Sequence, residues 1–201
     1  MKSDVITVSS RGRRMASALE QAEKVAAYKG LSPKSALHLR LLTEEMMGMM
    51  RSITGETEGE FWIENEGAAY SLHLLVNTRM NTGKRDQLLS VSSERRNESA
   101  RGLMGRLRDF FDRGADEDLS ALHSPLMLSG VYEGSTTPTL DWEWTMSRYE
   151  EALAPRVRRN EQAAREAWDE LEKSVVARVA DDVKVSIRGS AVELILTKAM
   201  A

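Results

Sequence analysis

The stretch LRLLTEEMMGMMRS, residues 39–52, contains two adjacent carboxylates, Glu44 and Glu45, followed by methionines and Gly48. A carboxylate held beside a reacting group can act as a general base, so this pair is the first candidate for catalysis. The competing interpretation is that one carboxylate faces solvent and the other lies at the edge of a helix. The methionines of the stretch are Met46, Met47, Met49 and Met50. We interpret them as core residues, with a deformable ligand pocket as the alternative.

Anion binding is the second candidate chemistry, in the basic stretch 79–113, where 9 Lys or Arg outnumber 5 Asp or Glu. Within this stretch Gly102 and Gly105 lie near the start of a predicted helix, beside Arg101 and Arg106. Backbone amides at a helix N-terminus can converge with guanidinium groups on a phosphate. The competing interpretation is a solvated loop and helix surface.

Composition excludes several other chemistries. The chain has 201 residues, is 41% hydrophobic and 29% charged, and fits one domain with a substantial core. It contains no cysteine, which excludes disulfides, thiolate zinc sites and a cysteine nucleophile. The histidines His38, His73 and His123 are not at ligand spacing, so no metal site is predicted. No G-x-S-x-G motif is present, so a hydrolase triad has no support.

The charge and hydropathy of the chain bear on its partners and location. A net charge of -3 gives no overall basic field, so we predict no nucleic-acid partner. The N-terminal residues do not form an apolar signal, and no stretch is long and apolar enough to span a bilayer. The sequence therefore predicts a cytoplasmic protein with no membrane association.

Periodicity predicts the elements that must position these residues. A β-branched run at residues 5–10 favours a strand, and residues 13–29 favour a helix ending at Gly30. Residues 33–53 predict a second helix, with Ser32 as N-cap, Pro33 at its first position and apolar residues at spacings of three and four. The run 59–76 alternates like a β-hairpin.

The remaining pattern is less regular. A strand is predicted at 88–93 and a helix at 98–114, followed by a loop-rich stretch. A helical pattern runs from residue 141 to about 179, broken or entered at Pro155, and an alternating hairpin closes the chain at 182–198. No internal repeat is evident in the sequence.

This order of elements resembles the ATP-binding domain of gyrase B, histidine kinases and anti-sigma factor kinases, the GHKL or Bergerat-fold superfamily. The resemblance covers residues 5–114 and the final hairpin. It implies that Glu44 occupies the catalytic glutamate position, while Gly48 stands where the family has a magnesium-binding asparagine. In LLVNTRM, Asn77 stands at the adenine-binding aspartate, and Arg79 replaces a glycine.

The segment ARGLMGRLRDFF is similar to the family's second glycine-rich box, which implies that Arg101, Gly102 and Gly105 would contact phosphates. The implied fold is α+β, with a mixed, mostly antiparallel sheet, helices on one face and a helical insertion at 115–180 before the final hairpin, all in one ATPase-like domain of residues 1–201.

The resemblance and the departures from it together predict a catalytically impaired, pseudo-kinase-like regulatory or protein-binding module. Glu44 would be a relic of the catalytic position. No cofactor or metal is expected, although residual ATP, ADP or phosphate binding is an alternative. The partner would be another protein or a second copy. Two other hypotheses stay open: an active kinase or ATPase of the anti-sigma factor type with unusual metal ligation, and a small-ligand sensor.

Overall fold

The computed structural model describes residues 1–9, 13–54, 58–77, 141–188 and 191–200. The strand predicted at 88–93, the helix predicted at 98–114 and most of the loop-rich stretch lie outside the described residues. The elements, in chain order, are β1 (Ile6–Ser9), α1 (Arg13–Lys29), α2 (Pro33–Thr54), β2 (Glu58–Glu66), β3 (Ala69–Asn77), β4 (Asp141–Thr145), α3 (Met146–Arg158), α4 (Gln162–Lys173), α5 (Val175–Val179), β5 (Asp182–Arg188) and β6 (Ala191–Ala199).

The strands form one six-stranded sheet in the order β1-β2-β3-β6-β5-β4, and every described pairing is antiparallel. With helices packed against it, this confirms the predicted α+β class. The order consists of two units of the same design, β1 to β3 and β4 to β6. Each unit is a strand followed by a helical segment and a hairpin. The two units join where β3 pairs with β6. This topological repeat was not visible in the sequence.

The two N-terminal helices follow the predicted signals closely. Helix α1 ends before Gly30, whose φ of 61° is the left-handed conformation that favours glycine after a helix. Ser32 caps α2, because its Oγ accepts a hydrogen bond of 3.2 Å from the Ser35 backbone N–H. Pro33 follows as the first helical residue.

The first hairpin is built on a two-residue turn. Gly67 occupies the first turn position with a φ of 59°, and the Asn65 side-chain amide donates to the carbonyls of Gly67 and Ala69. This turn aligns Phe61 with Leu74 and Ile63 with Leu72, and all four of these side chains are buried. The predicted alternation is confirmed.

The segment before the last hairpin differs from its prediction at both ends. Residues 141–145 were predicted to be helical but form strand β4, in which Trp144 is buried opposite Val185 of β5. Helix α3 begins only after Thr145, whose Oγ1 accepts from the Arg148 N–H. The alternating aromatic residues of this short run were predicted to belong to the helix that follows them.

The helical segment is also interrupted. Pro155 lies inside α3 instead of ending it. The helical pattern predicted to run to about residue 179 is divided, because α4 ends at Lys173 and Ser174 caps the separate helix α5 through its side chain. As a result Val175 is exposed and Val176 is buried. The predicted order of helices followed by a terminal hairpin is nevertheless confirmed.

One face of the sheet carries the hydrophobic core. Buried strand residues alternate along β2, β3, β5 and β6 and pack against the apolar sides of the helices. Helix α2 contacts β3 and β6 at the centre of the sheet, and α3 contacts β4 and β5. This face is called the covered face below, and the opposite side of the sheet is the open face.

Candidate functional site

The adjacent carboxylates Glu44 and Glu45 lie on different parts of the α2 surface. Glu44 is exposed, and Glu45 is half-buried. Burial, followed by the neighbouring charge of Glu44, raises the pKa of Glu45 above its ordinary value. Gly48 is exposed one turn beyond Glu44, and a side chain at that position would meet open space. Glu44 therefore lies on a solvated helix surface.

The methionine run of the same helix belongs to the core. All four side chains are at most 3% exposed, and they join the main hydrophobic cluster beside Leu39 and Leu42. These methionines line neither the cavity among the C-terminal helices nor the one beside α1. This arrangement favours the interpretation of the methionines as core filling.

The predicted nucleotide contacts are only partly described. Asn77 is the exposed last residue of β3, where it pairs with Ala191 of β6. Among the described side chains, Glu44 and Asn77 are not joined by a hydrogen bond. Arg101, Gly102 and Gly105 lie outside the described residues, as does Arg79. The phosphate cradle predicted there stays a prediction.

The cavities in the described part of the chain include two with mixed linings. One of about 510 Å³ lies among the C-terminal helices, where Glu150, Trp168 and Arg178 line it. Burial, followed by the charge of Asp182, raises the pKa of Glu150. The other, of about 460 Å³, lies between the N-terminal segment and α1, with Gln21 and Tyr28 in its wall. Both linings mix charged and apolar side chains without a convergent set of catalytic groups.

The open face presents a more distinctive arrangement. Strand pairing aligns two neighbouring rows of side chains across it. The first row contains Thr7, Glu60, Leu75, Glu193, Ser186 and Glu143, and the second contains Trp62, His73, Ile195, Lys184 and Thr145. Trp62, Leu75 and Ile195 are partly buried, and the side chain of His73 is 13% exposed. An aromatic and aliphatic centre is therefore partly exposed to solvent and bordered by carboxylates.

The centre of this face is a stack of two rings. The rings of Trp62 and His73 lie 4.8 Å apart between centroids and only 8° from parallel. The indole N–H of Trp62 donates to Oε1 of Glu64 at 2.8 Å. This bond, followed by a hydrogen bond from Lys2, holds the pKa of Glu64 below its ordinary value. Glu64 is therefore ionised at neutral pH.

The imidazole of His73 lies between two carboxylates. Its Nδ1 is 3.4 Å from Oε1 of Glu193, and its Nε2 is 3.9 Å from Oε2 of Glu64. Nε2 is buried and makes no hydrogen bond, which distinguishes it from the other buried side-chain nitrogen and oxygen atoms that the structure describes. Buried polar atoms are nearly always hydrogen-bonded, so Nε2 of His73 is an exception among the described residues.

The described residues contain no cluster of three or more acidic or histidine side chains that could hold a metal ion. Within the same residues, no helix is both long enough and apolar enough to cross a membrane.

No model of a known protein family matches the chain, and no curated protein is significantly similar to it.

No site on the open face was predicted from the sequence. The alternation was used to identify the residues that point into the core, such as Leu72 and Leu74. The same alternation places Trp62 and His73 on the other side of the hairpin, so their shared face was readable from the sequence. Their approach to Glu193 was not, because it depends on β6 pairing with β3.

Proposed function

We propose that this protein is a catalytically impaired, regulatory protein-binding module that uses the open face of its sheet to bind another protein. The observation that carries the proposal is the partly buried centre of Trp62, His73, Leu75 and Ile195, which no described helix covers. A partly exposed aromatic and aliphatic patch with a polar border is typical of a protein-binding surface. We place this role in the cytoplasm.

The size of the face supports the proposal. Six strands at a spacing of about 4.8 Å, with 43 residues between them, give a face of roughly 25 by 24 Å. This planar area of about 600 Å² is of the same order as the ~800 Å² of accessible surface that each partner buries in a standard protein interface. The face is therefore large enough to supply most of one side of a specific interface.

Impaired catalysis is supported by the surroundings of Glu44. A general base in phosphoryl transfer must be positioned beside the metal and the nucleotide. Glu44 is exposed instead, and Gly48 supplies no oxygen ligand one turn away. The small-ligand alternative loses support because the methionines fill the core.

The ATPase part of the proposal is tested by adding nucleotide to the purified protein. A site saturated at 100 times its dissociation constant would add about 2.7 kcal/mol to the free energy of unfolding. We expect no thermal shift with ATP and Mg²⁺ and no hydrolysis above background. Turnover that disappears in Glu44→Gln would instead establish the active kinase or ATPase.

The binding part is tested with a variant that carries Trp62→Ala and Leu75→Ala together. Proteins crosslinked to the wild type in the source cells are identified, purified and titrated against both forms. The matched control removes exposed apolar side chains of the helices, Tyr28→Ala with Leu37→Ala. We expect the open-face variant to lose the partner and the control to retain it. Equal binding by all three forms would contradict the proposal.

A further inference from the structure

We infer that the partner presents a basic segment to the open face, with arginine or lysine side chains interspersed among apolar ones. This inference rests on the proposed function and specifies the chemistry of the partner. The two rows and their edge carry four carboxylates, at Glu60, Glu64, Glu143 and Glu193, against the ammonium groups of Lys2 and Lys184. The difference, four minus two, leaves two negative charges on these six residues.

The excess charge is localised. Lys184 lies 2.7 Å from Glu143, and Lys2 lies 3.1 Å from Glu64, so these two carboxylates already have a cation. Glu193 contacts only the His73 ring among the described ionisable groups, and Glu60 has no ion pair there. The free negative charge therefore borders the exposed apolar centre at Glu60 and Glu193, on either side of Leu75. A partner that covers the centre must place groups beside both.

The chain itself shows how a cation is accommodated here. The Lys2 ammonium nitrogen lies 4.6 Å from the centroid of the Trp62 ring while it pairs with Glu64. Attraction to an aromatic face and to a carboxylate is the combination that recognises lysine and arginine side chains. A ring and a carboxylate also adjoin where the two rows meet, because His73 Nδ1 lies 3.4 Å from Oε1 of Glu193.

The Glu64 carboxylate beside His73 favours a partner group with several N–H donors. Nε2 of His73 is buried, so a partner meets Oε2 of Glu64, whose side chain is 37% exposed, before it meets the imidazole. Guanidinium carries five N–H donors in a planar fork that suits a carboxylate. Arginine is therefore the side chain that best suits this part of the face.

A second copy of the chain is a less suitable occupant. Two copies that meet through this face would bring together two surfaces that each carry an excess of carboxylates. Like charges across an interface oppose association. A basic partner removes the same cost and adds charge-assisted hydrogen bonds.

The experiment selects ligands from a displayed library of random peptides. The bait is the intact protein, and peptides that also bind the Trp62→Ala, Leu75→Ala variant are removed. We expect the remaining peptides to be enriched in arginine and lysine beside apolar residues. The best peptide is then titrated by calorimetry, together with a copy in which glutamine replaces each basic residue.

Carboxylate variants identify the groups that recognise the charge. Glu60→Gln and Glu193→Gln together should lower the affinity for the selected peptide by about tenfold, since each partly exposed charge contact contributes on the order of 0.5–1 kcal/mol. Binding should also weaken as salt increases. Glu151→Gln, which removes an exposed carboxylate from α3, is the matched control and should leave the affinity unchanged.

The outcomes separate the inference from the proposed function. Neutral or acidic peptides that bind the wild type and not the Trp62→Ala, Leu75→Ala variant would overturn the basic partner but support a binding face. No enriched peptide, with no partner lost in the crosslinking experiment, would overturn both. A wild-type dimer in light scattering that dissociates in the Trp62→Ala, Leu75→Ala variant would identify a second copy as the occupant and contradict the inference.

Discussion

The two faces of the sheet use the same strands for different purposes. Along β3, the side chains of Leu72, Leu74 and Val76 on the covered face are at most 2% exposed. The alternating residues His73 and Leu75 face the other way and are partly buried. One run of nine residues thus contributes alternately to the core and to the proposed binding surface. Stability and recognition can therefore be altered separately by substituting neighbouring residues.

The faces also differ in how completely their polar atoms are satisfied. On the covered side, the buried Thr43 hydroxyl donates to the Leu39 carbonyl at 2.8 Å. Asn65 likewise donates twice to the hairpin turn. On the open side, Nε2 of His73 is buried without a hydrogen bond. Among the described residues, the buried polar side-chain atoms of the covered face thus have hydrogen-bond partners, whereas this nitrogen on the open face has none.

The largest expected effect is on the covered face. Met46→Asp would place an unpaired charge where the side chain is fully buried, so we expect a loss of more than about 4 kcal/mol or failure to fold. Glu44→Ala, two residues away on the exposed side of α2, should change the free energy of unfolding by less than about 0.5 kcal/mol. Urea denaturation followed by circular dichroism measures both. Similar midpoints for the two variants would show that the inward face of α2 is wrongly assigned.

A second prediction compares adjacent leucines of β3. Leu74→Ala should cost about 2–5 kcal/mol because it leaves a cavity in the core. Leu75→Ala should cost less than about 1.5 kcal/mol, since Leu75 is half-buried and solvent can fill the space. Partner binding should show the opposite order, with Leu75→Ala the more harmful. A greater loss of stability in Leu75→Ala would mean that the open face is covered within the chain.

Much of this division could be predicted from the sequence. Alternation in the two hairpins and the three-and-four spacing of α2 identified the buried residues, because local geometry determines which side chains share a face. Strand β4 was missed because its five residues continue directly into α3 and give too short a pattern to separate from a helix. Its strand conformation depends on pairing with β5, which is distant from it in sequence.

The candidate site was less predictable than the fold. Glu44 and Glu45 were candidates because a carboxylate can act as a general base, but the spacing that buries Leu42 and Met46 leaves Glu44 on the outer surface of α2. His73 and Glu193 are 120 residues apart and meet only because β3 and β6 pair at the centre of the sheet. The repeated strand, helices and hairpin were hidden for a related reason. Topology can repeat without a repeated sequence pattern.

A third prediction concerns Glu45, at the boundary between the covered helix surface and solvent. Its pKa is raised by burial and by Glu44, so ionisation destabilises the folded state at neutral pH. Glu45→Gln should therefore stabilise the protein slightly, by less than about 1 kcal/mol, above the folded-state pKa. The gain should disappear as the pH falls and Glu45 becomes protonated. Thermal unfolding of both proteins at pH 7 and pH 4 measures the gain in stability. A gain that persisted at low pH would exclude this electrostatic cause.

The smallest expected effect lies on the open face, at the hydrogen bond between Trp62 and Glu64. This bond is the main cause of the lowered pKa of Glu64, so Trp62→Phe should raise that pKa towards its ordinary value. A lowered carboxyl pKa contributes stability above the unfolded-state value of about 4.3, and the contribution is lost as the pH falls through the folded-state pKa. The pH-dependent part of the difference in stability between the wild type and Trp62→Phe should therefore vanish in acid.

Carbon NMR of the Glu64 carboxyl group during a pH titration measures this shift directly. Asp181 is the internal control. Burial opposes the ionisation of Asp181, but hydrogen bonds from the Ala199 N–H and from Lys198 outweigh it and keep its pKa lowered without any contact to Trp62. The pKa of Asp181 should be the same in both proteins. An unchanged Glu64 pKa in Trp62→Phe would show that Lys2 alone keeps this carboxylate ionised, and the indole would then serve the open face only through its ring.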